Sequence, residues 1–273
     1  MTNRALIAVL VLPLFWVSGL ARPVETHTRA QSFNSCIDDK KKLWDFAPWD
    51  RDRIHEELIP EFSNHVFFFV SGMTVDADGA PNAYHPEDLG IDELTNAGRP
   101  GHWDGIVTDR LGIPMVQSEE DPYPGYYISC TSLADKTKEL HDPNRYVDAT
   151  KIPYVALPAE IAENRGVRLG DFAYVSNLRN GRSSFAIYAD IGTIGEGSVA
   201  LAEKLGISPN ARHGGESDGI LYMFFPGSGN RQPRTLDEIQ SEGKKLLSRR
   251  GAIENLSSCS ARRSGTAISD GGL

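Results

Sequence analysis

Cysteine is scarce: three stand in 273 residues, at positions 36, 130 and 259, with no short-spaced pair. Metal sites of the Cys-x-x-Cys kind are therefore excluded. An exported protein could still form one disulfide. Three pairings exist, each leaving one thiol free, and Cys259 is the expected odd one out. The seven histidines, among them His85, His102 and His213, show no His-x-x-x-His spacing, so no metal and no cofactor are expected. Positive charge is also short, with 28 Lys and Arg against 37 Asp and Glu and a net charge of −9, which argues against nucleic acid as a partner.

The long apolar run from Ala5 to Leu20 follows Arg4, is interrupted by Pro13 and ends in small residues at Ala21. That pattern predicts a secretory signal over 1–21, a mature chain from Arg22, a secreted or periplasmic location and no stable membrane association after cleavage. An uncleaved anchor is the alternative, because the run approaches the ~17-residue lower limit for spanning. Loss of Arg4 would make the net charge about −10.

Nothing forces a division of the remaining chain into two domains. Residues 22–60 read as a linker followed by short helices carrying Trp44, Phe46 and Trp49. A single elaborated domain is expected over 61–251, then a disordered tail over 252–273 whose Ser, Gly and Arg residues have no period. A monomer is expected.

Val66 to Val70, Gly105 to Thr108, Gly125 to Ser129, Tyr154 to Leu157, Phe172 to Val175, Ser184 to Tyr188 and Ile220 to Phe225 read as strands, punctuated by Pro and Gly. The chain is thus mainly β, with some helix. Asn180-Gly181 makes Phe172 to Tyr188 a hairpin with a connection longer than two residues. Asp171 starts that hairpin and Asp190 ends it, so the two acids are expected across one end of a barrel. Thr235-Leu-Asp-Glu238 is a capping box for a helix with one apolar side.

Two motifs fail on inspection. Asp76-Ala-Asp-Gly79 would place His85 at the twelfth position of a calcium loop, where a bidentate Glu is required. A turn using Asp-Gly is the plainer reading. Gly215-Glu-Ser-Asp-Gly219 has the letters of a nucleophile elbow but the wrong order of elements, with a strand after it where a helix is required.

The most informative stretch runs from Tyr188 to Gly206, Tyr-Ala-Asp-Ile-Gly-Thr-Ile-Gly-Glu-Gly-Ser-Val-Ala-Leu-Ala-Glu-Lys-Leu-Gly. A strand ends at Asp190, a glycine-rich turn follows, and Glu196 is expected to open a helix in which Val199, Leu201, Ala202 and Leu205 repeat at helical spacing. A stiff turn holding two acids fits glycoside hydrolysis, where the carboxyls stand about 6.5–9.5 Å apart for inversion and about 5–5.5 Å for retention. The plain alternative is a turn residue and a helix-dipole cap.

This stretch resembles the signature of glycoside hydrolase family 75, the endo-acting chitosanases, particularly their bacterial branch. The segments Thr74 to His85, Asn96-Ala-Gly with Trp103, Pro124 to Ser129, Ile152 to Pro158 and Phe225 to Gly229 resemble family segments in family order, covering about residues 66 to 250. The resemblance implies a double-psi β-barrel with peripheral helices and long loops. It also implies inverting hydrolysis of β-1,4-linked glucosamine chains, with Asp190 as the base and Glu196 as the proton donor. Asp76, Asp78 and Tyr84 would hold substrate near the cleft, with Asp171 as a further candidate. Ala189, where the family often has Gly, and the short spacing between the acids are departures that bear on cleft shape. The acidic surface suits a cationic polysaccharide partner. Two other readings stand beside this one: a non-catalytic wall-binding module on the same barrel, and a hydrolase of another amino-sugar polymer.

Overall fold

A computed structural model describes residues 55–57 and 66–249. The expected signal over 1–21, nearly all of the 22–60 segment, Cys36, Cys259 and the tail over 252–273 lie outside the described residues. Cys130 is a free, half-buried thiol. No helix among the described residues is long and apolar enough to cross a membrane.

The strands are β1 His55–Glu57, β2 Phe67–Asp76, β3 Gly98–Arg99, β4 His102–Trp103, β5 Tyr154–Leu157, β6 Phe172–Asn177, β7 Ser183–Ile191, β8 Glu196–Ser198 and β9 Glu216–Phe225. The helices are α1 Ala159–Asn164, α2 Val199–Leu205 and α3 Leu236–Arg249, with two short 3-10 turns. The chain is mostly β. Six strands close into a barrel in the order β2-β8-β5-β7-β6-β9, with β9 returning to β2. β2 and β8 are parallel, as are β5 and β7, while the other barrel pairs are antiparallel.

Closure follows from strand length. β2 has ten residues and β8 three, so β8 covers only the far end of one edge of β2, at Thr74, Val75 and Asp76. β1 pairs antiparallel with Phe68 to Val70 on the part left open. An uncovered edge of that apolar run would be a template for aggregation. This strand corrects the reading of 22–60, whose last part was expected to be helical.

Side chains alternate between the two faces of the barrel wall. Ile220, Tyr222 and Phe224 join Phe69, Val155, Ala173, Val175, Ala186 and Tyr188 in one cluster, which α1 and α2 complete with Ala162, Leu201 and Leu205. Leu221, Met223 and Phe225 join Phe68, Tyr154, Phe172 and Ile187 in the other. That second face is covered by α3 and by the long excursion over 77–153, through Ala77, Tyr84, Ile106, Leu133 and Val147.

The hairpin of β6 and β7 forms as expected, with Gly181 in its five-residue connection at φ +75°. The strands expected at Gly105 to Thr108 and Gly125 to Ser129 are instead single bridges, Ile106 with Ser129 and Val116 with Tyr127. The chain turns back over 109–114 and meets each partner for one residue only. Its amides bond through Val107 N to Ile128 O at 2.9 Å and Met115 N to Val107 O at 2.9 Å, which is too little pairing for a ladder. Glu216 to Gly219 are the first residues of β9 itself, so the elbow geometry is absent there.

The capping box of α3 is formed. Thr235 N donates to Glu238 Oε2 at 2.8 Å, and Glu238 N donates to Thr235 Oγ1 at 3.3 Å. The helix then buries Ile239 and Leu247. Thr235→Ala removes one half of this exchange and is expected to cost about 1 kcal/mol of stability, read from the urea midpoint at unchanged slope.

Candidate functional site

Asp190 and Glu196 are brought together by register. Ala156 of β5 is the Cα partner of Asp190 on one side and of Glu196 on the other. Neighbouring strands lie about 4.8 Å apart, so the two backbones stand roughly 10 Å from one another across a single alanine.

The placement of Asp190 depends on a break in alternation. Val155 pairs with Tyr188 and Ala156 with Asp190, so Ala189 is an extra residue in β7. Under strict alternation Asp190 would share the face of Ala186 and Tyr188. The bulge instead turns it to the face of Ala156, the face that the excursion covers.

Glu196 lies in strand β8 and not at a helix start. The N-cap of α2 is Ser198, whose Oγ accepts from Leu201 N at 3.1 Å. The expected helix-opening role is therefore corrected: helical periodicity begins at Val199, and the three residues before it are drawn into pairing with β2 and β5. Gly192 passes so close that a Cβ there would collide with Glu196 Oε2 and sit 3.1 Å from the Ala156 methyl carbon. Gly192 and Ala156 thus set no large side chain beside the two acids.

Asp76 and Asp78 complete the group. Asp76 ends β2, and its Oδ1 accepts Asp78 N at 2.7 Å in the turn that launches the excursion. Asp78 Oδ1 accepts the Tyr84 hydroxyl at 2.6 Å, and the Tyr154 hydroxyl donates to Asp78 O at 2.9 Å. Tyr84 also reaches Asp92 Oδ2 at 3.4 Å, while Asp92 Oδ1 is held by Asn96 Nδ2 at 2.8 Å and Glu93 N at 2.7 Å. Asp76 and Asp190 are each 7 % exposed, and Asp78 and Glu196 are half-buried.

The charges that act on these acids are chiefly those of one another. Burial, followed by the charge of Glu196, raises Asp76 to about 8. Burial, followed by Asp76, raises Asp190 to about 7. Burial, followed by Asp76 and Asp190, raises Asp78 well above the carboxylate range, and burial also raises Glu196 and Asp92. The groups that oppose these shifts are mainly hydrogen-bond donors: Asp78 N for Asp76, Ser132 and Ile191 for Asp190, and Thr193 for Glu196. The cluster therefore retains protons near neutrality, as proton-transfer chemistry requires. Among the described residues no three His, Cys, Asp or Glu groups converge closely enough to hold a metal ion.

Asp171 is not brought into this group. Its carboxylate is occupied by backbone amides, Arg168 N at 2.8 Å and Gly227 N at 2.9 Å on Oδ2 and Gly229 N at 2.7 Å on Oδ1. It ties the entry of β6 to the loop after β9. Residue patterns also pass over Tyr154, over Asp92 and over Ser132, which donates to Asp190. Ser132 and Tyr154 lie 58 and 76 residues from the groups they contact, so no local pattern marks them. Asp92 and Asn96 are four apart, a spacing that could have signalled their bond.

Comparison of the chain with protein-family models and with curated proteins returns no match in either case.

The raised carboxyls predict a falling stability curve. An unfolded Asp titrates near 3.9, whereas folded Asp76 and Asp190 titrate near 8 and 7, so between these values the folded state binds more protons. Their contribution is full below about pH 4 and is lost as pH rises through about 7–8. Thermal melting from pH 4 to 9 is expected to show this decline in the wild type and a shallower one in Asp76→Asn. Asp171→Ala is expected to lower stability by about 1–3 kcal/mol, because three backbone amides lose a buried acceptor.

Proposed function

We propose that the protein is an exported glycoside hydrolase acting on β-1,4-linked glucosamine polymers by an inverting, two-carboxylate mechanism. The observation that carries the reading is the rung Asp190–Ala156–Glu196, two acids with raised proton affinity on one face, separated by a single alanine. A backbone separation of roughly 10 Å accommodates the wider carboxyl spacing of inversion, which leaves room for a water molecule.

Asp190 is the base. Its Oδ1 accepts Ser132 N at 3.0 Å, Ser132 Oγ at 2.6 Å and Ile191 N at 2.8 Å, donors that favour the carboxylate. Glu196 is the acid. Water loses a proton to Asp190 as its oxygen bonds to the anomeric carbon. The glycosidic bond breaks on the opposite face, and the departing oxygen takes the Glu196 proton. Asp76, Asp78 and Tyr84 lie beside the two acids and supply hydrogen-bonding groups that an amino sugar would meet.

The resemblance of the Tyr188 to Gly206 stretch to family 75 chitosanases supports the substrate class, and the net charge of −9 suits a polycation. The two parallel pairs in the barrel, β2 with β8 and β5 with β7, support the double-psi topology of that family. Export rests on the sequence of residues 1–21.

Asp190→Asn and Glu196→Gln keep shape and hydrogen bonding but remove the proton chemistry. Each is expected to lower hydrolysis of chitosan oligomers by about 10²–10⁴-fold, read as reducing-end release, with melting and oligomer binding little changed. Normal turnover in either variant would remove that residue from the mechanism. Oligomer binding without turnover in the wild type would favour the wall-binding module instead.

A further inference from the structure

Ser132 is solvent-exposed, whereas the carboxyl it meets is buried. Its hydroxyl donates to Asp190 Oδ1 at 2.6 Å and its backbone amide donates to the same oxygen at 3.0 Å. Ile191 N reaches that oxygen at 2.8 Å and Ser132 Oγ at 3.2 Å. The three groups thus form a small closed ring. Because Ser132 Oγ accepts from Ile191, its own proton is directed at Asp190. The next residue fixes the clamp to the barrel, Leu133 N donating to Ala189 O at 2.8 Å, at the bulge that turns Asp190 toward Ala156.

We infer that Ser132 is a positioning residue that saturates Asp190 Oδ1, so that Oδ2 is the oxygen presented to the attacking water. Among the described residues no donor meets Oδ2. A carboxylate oxygen that already accepts three donors is a poor proton acceptor, so the proton taken from water goes to its neighbour. Ser132 acts through Asp190 and need not touch substrate. This inference rests on Asp190 being the base of the proposed reaction, although the clamp on the carboxyl exists whatever the substrate is.

The sign of the effect is fixed by the donors. Removing one that favours the carboxylate raises the proton affinity of Asp190, so the acid limb of kcat/KM moves to higher pH. The full chain is prepared with ¹³C-labelled aspartate as wild type, Ser132→Ala and Ser132→Thr, and the Asp190 carboxyl signal is assigned by its loss in Asp190→Asn. In Ser132→Ala the midpoint of that signal is expected to rise by about one pH unit, with Ser132→Thr returning it toward wild type. The acid limb of kcat/KM on chitosan oligomers is expected to move by the same amount, so that loss of activity is about tenfold below the limb and small on the plateau. An unmoved midpoint in Ser132→Ala, or one that Thr fails to restore, overturns the inference. A lowered plateau with an unmoved limb also overturns it, since that is the signature of a merely structural serine. If the wild type hydrolyses no chitosan, the carboxyl titration still decides the role of Ser132, and only the reading of the substrate falls.

Discussion

The barrel closes through three residues, Glu196, Gly197 and Ser198, and the fold and the site both depend on that pairing. Each does a different physical job. Gly197 lies in tight packing, since an added Cβ would displace the Met73 methyl and come 3.0 Å from Leu201 Cδ2. Ser198 accepts Tyr154 N at 3.0 Å, donates to Ile152 O at 2.8 Å and caps α2. Glu196 takes the remaining position, held to Thr74 of β2 and Ala156 of β5. The strand cannot slip by one residue without turning the carboxyl to the other face and placing Gly197 where no glycine is needed. Closure of the sheet therefore fixes the acid.

That arrangement has a thermodynamic cost. Four carboxyls meet on one face with no cation among the strongest influences on any of them, so their proton affinities rise and the folded state becomes less favourable as they ionise. The apolar wall behind them offsets this. Phe69 stacks on Tyr222 at 4.9 Å between ring centres and on Phe224 at 5.9 Å, all within the fully buried part of β2 and β9. Each fully buried aromatic side chain contributes on the order of 1.5–3 kcal/mol. The strands with the richest apolar pairing thus stand beside those that carry the charge.

Much of the frame was legible in the sequence, because its signals are local. Asn180-Gly181 between two apolar runs marked the hairpin, Thr235 with Glu238 marked the start of α3, and Asp190 was correctly set at the end of a strand. The helical repeat of Val199, Leu201, Ala202 and Leu205 extends the expected helix back to Glu196, whereas the structure starts it at Val199. Ser198, a strong N-cap residue, was the better marker of where the helix begins. The bulge at Ala189 has no local signal, since it exists only in the register between β7 and β5. Asp171 and Asp190 look equivalent as strand-end acids, yet three loop amides claim one while the excursion brings Ser132 to the other. Apart from that of Arg168 N, these contacts join residues more than fifty positions apart, and periodicity carries no information about them.

The site is a seam between two parts of the chain, which bears on how it can hold water and protons in place. The barrel contributes Asp76, Asp190 and Glu196, and the excursion contributes Asp78, Tyr84 and Ser132. If the excursion were loosely attached, donors that favour the carboxylates would be lost whenever it moved. It is tied down next to the acids themselves. Tyr154 of β5 bonds Asp78 O, Leu133 N bonds the bulge at Ala189, Gly79 N bonds Ser129 Oγ at 2.9 Å, and Val147 N bonds Thr131 Oγ1 at 3.0 Å. Two of these bonds cross directly from excursion to barrel on either side of the acid group. The two acids are then held by a frame tied at Tyr154 and at Leu133, with only Ala156 and Gly192 beside them. Preorganisation of that kind lets a buried carboxyl change protonation without a compensating movement of the surrounding chain.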